Sequence, residues 1–184
     1  MVTDFQQLSP DIQGRLAKVK LLLMDVDGVL TNGKIRIDDH GVESKEFSTR
    51  DGYGFHLSRK YGLKAGVISG RASPATEVRC KTLHFDEIHL GRLEKFPVLE
   101  EIVHRTGIAP HEILYVGDDL IDLPVMKAAG LSAAPSDSHE DVLKQVSIVL
   151  AFPGGAGAVR QVIDFWLKAT GQWEKAIQEI LHGY

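Results

Sequence analysis

Residues 21–31 read LLLMDVDGVLT, an apolar run followed at once by acids and a glycine. A short apolar run that ends in polar and glycine residues predicts a strand that is buried on both faces. The strongest such run is Leu21–Met24, and the other runs of this form are Ala65–Ile68, Ile113–Val116 and, more weakly, Asp86–Leu90 and Ile148–Leu150. We interpret these runs as the strands of one sheet.

Helical patterns separate these runs. Pro74–Leu83 has Ser73 as its N-cap and proline in the first helical position, and Pro97–Arg105 closes at Gly107. Leu120–Ala129, which ends at Gly130, is a third pattern of similar length. Strands that alternate with helices of about ten residues predict the α/β class, here a doubly wound, mostly parallel sheet covered on both faces.

Residues 33–47 break this alternation. Polar and apolar residues alternate in Lys34–Asp38 and in Val42–Phe47, on either side of Asp39-His40-Gly41. This pattern predicts a β-hairpin with a glycine turn directly after the first strand. Because a hairpin with one apolar face needs cover, it is either a surface decoration or a segment that is buried in an oligomer.

Composition limits the class of protein. Of the 184 residues, 43% are hydrophobic and 25% are charged, which suits one well-filled domain over residues 1–184. The net charge of −4 argues against a general nucleic-acid binder, and no apolar run approaches the roughly 20 residues of a membrane helix. The single cysteine, Cys80, suits a reducing compartment. We therefore expect a cytoplasmic protein that binds neither nucleic acid nor membrane.

The carboxyl ends of the predicted strands carry the reactive side chains. Ligands of doubly wound sheets bind beyond these ends, so the residues that follow different strands are expected to converge on one crevice. Asp25 and Asp27 are two positions apart and point the same way on extended backbone. The full set is Asp25 and Asp27 after the first strand, Ser69 after the second, Lys95 after Asp86–Leu90, and Asp118, Asp119 and Asp122 after Ile113–Val116.

Carboxylates this close raise one another's pKa unless a cation compensates their charge. Oxygen ligands alone suit a hard ion, and Mg²⁺ typically takes one or two carboxylates, waters and phosphate oxygens. Lys95 adds a positive charge and Ser69 a hydroxyl donor, so the crevice suits a phosphoryl group. A free carboxylate aimed at the phosphorus then acts as the nucleophile and forms an aspartyl-phosphate.

Each of these residues also has an ordinary structural explanation when it is taken alone. An isolated aspartate at a strand end is usually a helix N-cap, which suits Asp119 and Asp122. Ser69 before a glycine is common in turns, and a single lysine such as Lys95 is typical of a surface. Residues 154–157, GGAG, either offer backbone N–H groups to an anion or form a flexible turn before a helix.

A known family matches this arrangement. Residues 25–31 resemble the first motif of the haloacid dehalogenase-like phosphatases, and Ser69, Lys95 and residues 117–122 (GDDLID) fall where that superfamily has its other three motifs. The roles that this resemblance implies are nucleophile for Asp25, general acid and base for Asp27, phosphoryl binding for Ser69 and Lys95, and Mg²⁺ binding for Asp25, the backbone carbonyl of Asp27, and Asp118. The intervals between the motifs are too short for a cap domain.

Four further strings resemble a narrower family, the phosphatases of 3-deoxy-D-manno-octulosonate (Kdo) 8-phosphate. They are Phe47–Gly54 (FSTRDGYG), Val67–Arg71 (VISGR), Gly117–Met126 (GDDLIDLPVM) and Gly154–Arg160 (GGAGAVR). This resemblance implies an enzyme that makes free Kdo for lipopolysaccharide in Gram-negative bacteria. It also implies a homotetramer whose hairpins assemble centrally and help to close neighbouring sites.

The same resemblance implies the contacts to the sugar acid. Arginine suits the substrate carboxylate because a guanidinium binds it bidentately. Related phosphatases of KDN 9-phosphate tend to have Glu in place of Arg71, so Arg50 and Arg71 favour the eight-carbon acid. His56 stands where members of the Kdo family often carry Arg or Lys. The alternative to a substrate contact is that His56 faces solvent on a helix. The implied contacts are Asp27, Ser48, Thr49, Arg50, Asp51, Gly52, His56, Arg71, Arg79 and Lys95.

Two other functions are open to such a sequence. A phospho-acceptor signalling domain also gathers acids, a hydroxyl and a lysine on a doubly wound sheet, but there the lysine comes last, whereas Asp118 and Asp119 follow Lys95 here. A non-catalytic subunit that assembles through the hairpin is the other alternative, and the intact acids argue against it. Residues 171–184 have helical spacing, and this tail either packs on its own core or reaches a neighbouring site.

Overall fold

The computed structural model describes residues 1–183. In chain order the elements are α1 (Pro10–Leu16), β1 (Leu21–Met24), β2 (Arg36–Ile37), β3 (Glu43–Ser44), α2 (Thr49–Lys60), β4 (Lys64–Ser69), α3 (Pro74–Thr82), β5 (Glu87–Leu90), α4 (Lys95–Thr106), β6 (Ile113–Val116), α5 (Leu123–Ala128), β7 (Leu131–Ala134), α6 (Glu140–Leu143), β8 (Ile148–Val149), α7 (Ala158–Ala169) and α8 (Trp173–His182). Short 3-10 helices cover Phe5–Gln7, Pro110–Glu112 and Leu120–Asp122.

Six strands form one parallel sheet in the order β5-β4-β1-β6-β7-β8. The first strand in the sequence, β1, lies in the centre of the sheet. The next two strands, β4 and β5, lie on one side of it, and β6, β7 and β8 lie on the other. The order therefore reverses beside β1, which is where doubly wound sheets open a ligand crevice. The predicted fold class is confirmed.

The sheet is covered on both faces because its strands alternate between two hydrophobic clusters. In β1, Leu22 and Met24 pack into the cluster that contains the buried side of α7, whereas Leu21 and Leu23 pack into the cluster that contains the buried side of α4. All four β1 residues are buried, as expected for a central parallel strand. This double cover holds the carboxyl end of β1 in place.

The strand predictions hold, with one omission. The bounds of β1 and β6 are those predicted, β4 extends one residue beyond Ala65–Ile68 at each end, and β5 and β8 are each one residue shorter. The sequence pattern missed β7, Leu131–Ala134, because Leu-Ser-Ala-Ala has little β-propensity of its own. Its pairing with β6 and β8 and its complete burial make it a strand.

Two helix predictions need correction. The helix predicted to begin at Pro97 begins two residues earlier, at Lys95, and Gly107, with φ of 70°, is its C-cap as predicted. The single helix predicted over Leu120–Ala129 is a 3-10 turn followed by α5. At the start of α3, Ser73 is the N-cap residue as predicted, but its hydroxyl makes no capping hydrogen bond. Helices α1 and α6 had no signal of their own in the sequence analysis.

The hairpin is present but shorter than predicted. It consists of β2 and β3, two residues each, in antiparallel register. The Asp38 carboxylate accepts hydrogen bonds from the N–H groups of His40 and Val42 (2.9 and 2.8 Å), and Gly41 adopts φ of 75°, which closes the turn. Between β1 and β4 the chain forms only this hairpin and α2, so no cap domain is inserted there.

The described part of the tail packs on the chain's own core. Trp173, at the start of α8, lies against the cluster beneath α7, and Glu179 accepts a hydrogen bond from the Tyr61 hydroxyl at 2.6 Å. Tyr184, the last residue of the predicted tail, lies outside the described residues. Over residues 1–183, no helix has both the length and the apolar character needed to cross a bilayer.

Candidate active site

Neighbouring strand ends meet at one cleft of about 230 Å³. Asp25 and Asp27 follow β1, Ser69 ends β4, and Asp118 and Asp119 follow β6, so three adjacent strands supply them. The first residue of α4 brings Lys95 to the same place. The lining residues are Asp25, Asp27, Ser69, Gly70, Arg71, Leu93, Lys95, Asp118, Asp119 and Ile121. The convergence expected from the sequence is therefore present in the single chain.

Asp25 is a buried carboxylate held by fixed donors. The Lys95 Nζ lies 2.6 Å from Asp25 Oδ2, and the backbone N–H of Val26 donates to Asp25 Oδ1 at 2.6 Å. Burial raises the pKa of Asp25 to about 6, although the Lys95 charge acts in the opposite direction. The carboxylate is thus oriented, and it is still charged at neutral pH.

Asp118 is an acid of the cleft whose charged form the surrounding chain disfavours. Burial, followed by the charges of Asp25 and Asp122, raises the pKa of Asp118 to about 8. Within residues 1–183, its buried Oδ1 has no hydrogen-bond partner. Gly28, which has φ of 89°, leaves room for the Asp118 side chain, because a Cβ at position 28 would overlap the Asp118 carboxylate. Carboxylate oxygens are the ligands that a hard divalent cation prefers, and a cation bound here would favour the charged form of Asp118.

Asp122 lies behind the cleft and is fully buried. Its Oδ1 accepts hydrogen bonds from Lys95 Nζ at 2.7 Å and the Tyr115 hydroxyl at 2.8 Å, and its Oδ2 accepts from the backbone N–H groups of Asp118 and Asp119 at 3.0 and 3.3 Å. One carboxylate oxygen each from Asp25, Asp118 and Asp122 lie within 4.8 Å of one another. Because Asp122 is fully buried and is not among the residues that line the cleft, we assign it to holding Lys95 and the Asp118 loop.

Two local interpretations from the sequence are compatible with the cleft. Ser69 Oγ accepts a hydrogen bond from the backbone N–H of Arg71 at 3.3 Å, as in an ordinary turn, and the residue also lines the cleft. Asp119 caps the following 3-10 turn through the N–H of Leu120 at 2.7 Å. Asp122 occupies the N-cap position of α5 without a side-chain bond to that helix, and its carboxylate instead completes the cap of the 3-10 turn by accepting from the N–H of Asp119 at 3.3 Å.

The hairpin contributes two charged residues that the sequence analysis did not identify. Lys45 Nζ lies 2.7 Å from both carboxylate oxygens of Asp27 and 3.4 Å from Glu43 Oε1. Arg71 lies 2.8 Å from Glu43 Oε2 and 3.9 Å from Asp27 Oδ2. The period-two spacing of Glu43 and Lys45 places them on one face of a strand, which was the signal available.

The predicted substrate contacts divide into two groups. Asp27, Arg71 and Lys95 line the cleft. The others are outside the set of residues that line it in one chain, and their assignment stays a prediction: Ser48, Thr49, Arg50, Asp51, Gly52, His56 and Arg79.

Most of this second group builds the start of α2. Ser48 Oγ caps the helix by accepting from the Asp51 N–H at 3.3 Å. The Arg79 guanidinium donates to the Ser48 carbonyl oxygen at 3.2 Å and lies over the Phe47 ring, and Gly52 leaves room for it, since a Cβ there would lie 2.6 Å from Arg79 Nη2. Exposed His56 stacks on Tyr53 with ring centroids 6.1 Å apart.

Asp51 connects α2 to α7. Its Oδ1 accepts the backbone N–H of Arg160 at 2.7 Å, and burial raises its pKa. The preceding glycine-rich loop is also bonded within the chain, because Gly154 N–H donates to Asp137 Oδ1 at 2.9 Å and Gly155 N–H to the Val29 carbonyl at 3.0 Å. Residues 154–157 are therefore neither an open anion cradle nor a loose turn, and they support the loop after β1.

Comparison with known proteins identifies the family of this chain. The model of the haloacid dehalogenase-like hydrolases matches residues 78–163. The 3-deoxy-D-manno-octulosonate 8-phosphate phosphatase KdsC of Escherichia coli K12 is 37% identical over 176 residues, which cover 96% of this chain and 94% of the relative. The chain belongs to this phosphatase family.

Solved structures agree with that membership. The phosphatase of this family from Yersinia pestis has a TM-score of 0.89 and 36% identity over 91% of this chain and 90% of that chain. The family member from Moraxella catarrhalis, solved in complex with magnesium, phosphate and KDO, has a TM-score of 0.90 and 31% identity over 92% of this chain and 98% of that chain. As a family member, the protein is a phosphatase of the haloacid dehalogenase-like type.

Proposed function

We propose that this phosphatase hydrolyses Kdo 8-phosphate to Kdo and phosphate, depends on Mg²⁺, and serves lipopolysaccharide biosynthesis. The observation that carries the proposal is the buried pair of Asp25 and Lys95 beside Asp118, whose buried Oδ1 has no hydrogen-bond partner within residues 1–183. A fixed nucleophile, a fixed cation and a site for a second cation are the requirements of phosphoryl transfer.

In the proposed reaction, an oxygen of Asp25 attacks the phosphorus and the bond from phosphorus to the sugar oxygen breaks. Asp27 gives its proton to that leaving oxygen, and Lys95 and Ser69 hold the phosphoryl oxygens. Asp27 then takes a proton from a water that attacks the aspartyl-phosphate, which releases phosphate and restores Asp25. Asp27 lies two residues beyond Asp25 on the same loop, on the side where the leaving group would stand.

The donor set of the cleft fits Mg²⁺. We assign the ion to the carboxylates of Asp25 and Asp118 and the backbone carbonyl of Asp27. All of these ligands are oxygens, and the unpartnered Asp118 Oδ1 offers a position for a cation. Bound there, Mg²⁺ would neutralise charge on the phosphoryl oxygens and on the acids. Lys95 and Asp122 keep the ligand loops in place.

We propose that the sugar acid is recognised at the mouth of the cleft. Arg71 is half exposed there, and its guanidinium suits a carboxylate. Ser48, Thr49, Arg50, Asp51, Gly52, His56 and Arg79 would complete recognition in an assembled oligomer.

The proposed assembly is a homotetramer of single-domain chains. Ile37 and Val42 of the hairpin are 63% and 60% exposed, and such apolar side chains are expected to be covered by a second copy. Cys80 is a free, buried thiol, which agrees with a cytoplasmic location.

A substrate screen tests the function. Phosphate release is measured from Kdo 8-phosphate, KDN 9-phosphate and p-nitrophenyl phosphate, with Mg²⁺ and with EDTA. We expect many turnovers, a preference for Kdo 8-phosphate, and loss of turnover in EDTA. Preference for KDN 9-phosphate would overturn the substrate, and a single turnover per chain would indicate a phospho-acceptor. Inactivity on every phosphorylated sugar would favour a non-catalytic subunit.

A further inference from the structure

The hairpin places a buried lysine on the acid that is proposed to protonate the leaving group. Lys45 comes directly after β3, its side chain is fully covered, and its ammonium lies 2.7 Å from both oxygens of Asp27. A surface ion pair of two flexible side chains contributes little to stability or to side-chain order. A covered lysine with two short contacts, in contrast, restricts the orientation of the carboxylate. The contact spans 18 residues, so it joins the hairpin to the loop after β1.

A second carboxylate lies within ion-pair distance of the lysine. Glu43 Oε1 lies 3.4 Å from Lys45 Nζ, and Glu43 Oε2 lies 2.8 Å from the Arg71 guanidinium. Arg71 in turn approaches Asp27 Oδ2 at 3.9 Å. The four side chains alternate in charge beside Asp27, and within residues 1–183 the ion pairs of Lys95 are made to two other acids, Asp25 and Asp122.

Asp27 has few other restraints. Besides Lys45 and Arg71, the described contact of its carboxylate is the Thr31 hydroxyl, at a long 3.4 Å. A general acid must be held close to the productive geometry, because small displacements of a reacting group cost large factors in rate. Lys45 supplies both of the short contacts to Asp27, at 2.7 Å, and is therefore a candidate for controlling the efficiency of Asp27 as the general acid.

We propose that Lys45 is a positioning residue for leaving-group departure: its ammonium orients the Asp27 carboxylate toward the leaving oxygen, and Glu43 holds Lys45 in place. The inference rests on the proposed role of Asp27 and deepens it by assigning the hairpin a part in the chemistry of its own chain. The alternative is that the pair of Lys45 and Asp27 only fastens the hairpin to the domain.

Leaving-group dependence separates these two roles. An alkyl oxygen, as in Kdo 8-phosphate, needs a proton to depart, whereas p-nitrophenolate departs without one. A positioning defect at the general acid therefore slows the alkyl ester far more than the aryl ester, while a loosened hairpin slows both alike. The matched control is Lys34→Met, the same substitution at an exposed position of the same hairpin.

The experiment measures kcat and KM of the full-length protein with Mg²⁺ on both esters. We expect Lys45→Met to lower kcat on Kdo 8-phosphate by about 10²-fold, at the lower end of what general acid catalysis contributes. On p-nitrophenyl phosphate the same variant should lose less than about fivefold, which would leave proton delivery as the affected step. Lys45→Arg should restore most of the loss, because a guanidinium also contacts both oxygens of a carboxylate.

A double variant sharpens the result. Because Lys45 is proposed to act through Asp27, Lys45→Met in an Asp27→Asn background should cost almost nothing further on the alkyl ester. Equal losses on the two esters, additive losses in the double variant, or the same loss in Lys34→Met would each overturn the inference and leave the proposed function standing. If the wild-type protein hydrolyses neither ester, the inference and the proposed function are both wrong.

Discussion

The strand-end acids and the hairpin are held in place by different means. Asp25, Ser69 and Asp118 stand at the ends of three adjacent strands, and buried side chains pack on both faces of those strands. The hairpin has two strands of two residues each, and its Ile37 and Val42 face outward. The domain core therefore determines the position of the phosphoryl site, whereas within one chain the hairpin is tied to the domain by the ion pairs of Lys45 and Arg71.

The largest effect is expected inside the strand-end cluster. Asp25→Asn removes the proposed nucleophile and keeps its shape, so turnover should fall by roughly 10⁴-fold or more, as for other essential nucleophiles. Phosphate release from p-nitrophenyl phosphate measures it, with circular dichroism to show that the variant is folded. A variant that retains a tenth of the activity would show that the nucleophile lies elsewhere.

A substitution on the exposed face of the hairpin should change the assembly of the protein and leave the stability of the single chain almost unchanged. Ile37→Asp places a charge on the proposed contact between copies, so the particle mass should drop below that of a tetramer. Stability of the isolated chain should change by less than about 0.5 kcal/mol, since Ile37 is mainly exposed. Light scattering gives the mass, and Val78→Asp, at an exposed position of α3, is the control. A wild-type protein that is already monomeric would contradict the assembly.

The pH dependence of stability tests the burial and the crowding of these acids. The folded pKa values of Asp25 and Asp118, about 6 and about 8, lie above their ordinary value of 3.8. The folded state therefore binds more protons than the unfolded state between about pH 4 and 8. The contribution of these groups to stability falls as pH rises through that window.

Melting temperatures of the metal-free protein at pH 5 and pH 8 measure this effect. We expect a lower Tm at pH 8, a smaller decrease in Asp118→Asn, and a stabilisation by Mg²⁺ that is larger at pH 8 than at pH 5, because the ion binds deprotonated carboxylates. An equal decrease in the wild type and in Asp118→Asn would show that other groups cause it.

The smallest effect concerns the support behind the cleft. Tyr115→Phe removes one of the two donors to Asp122 Oδ1 and leaves Lys95 as the other. Loss of a buried hydrogen bond to a charged acceptor should cost about 1–3 kcal/mol of unfolding free energy, with less than a tenfold loss of turnover. Urea unfolding measures it, with Tyr61→Phe, at a more exposed Tyr–Glu hydrogen bond, as the control. Equal costs in the two variants would show that burial of the Asp122 network adds nothing.

The strand-end site was predictable because it depends on local signals. Apolar runs predict β1, β4 and β6, and the topology of parallel sheets brings Asp25, Ser69 and Asp118 together. The strand β7 was not predictable from its own residues, since Leu-Ser-Ala-Ala becomes a strand only through burial between two neighbours.

The surroundings of the site depend on contacts that are distant in sequence. Nothing local to residues 43–45 indicates that the hairpin folds back over Asp27, which is why Glu43 and Lys45 were missed. Arg79 shows the converse case: its residue type suits a substrate carboxylate, but in this chain its guanidinium bonds the Ser48 carbonyl. Whether it also contacts substrate in an assembled oligomer stays a prediction.

The most direct test of the account is a crystal structure of the protein with Mg²⁺ and inorganic phosphate. The account predicts one ion bound by the carboxylates of Asp25 and Asp118 and the carbonyl of Asp27, with phosphate on Lys95 and Ser69. A structure in which Asp118 turns away to solvent and the ion binds elsewhere would contradict it.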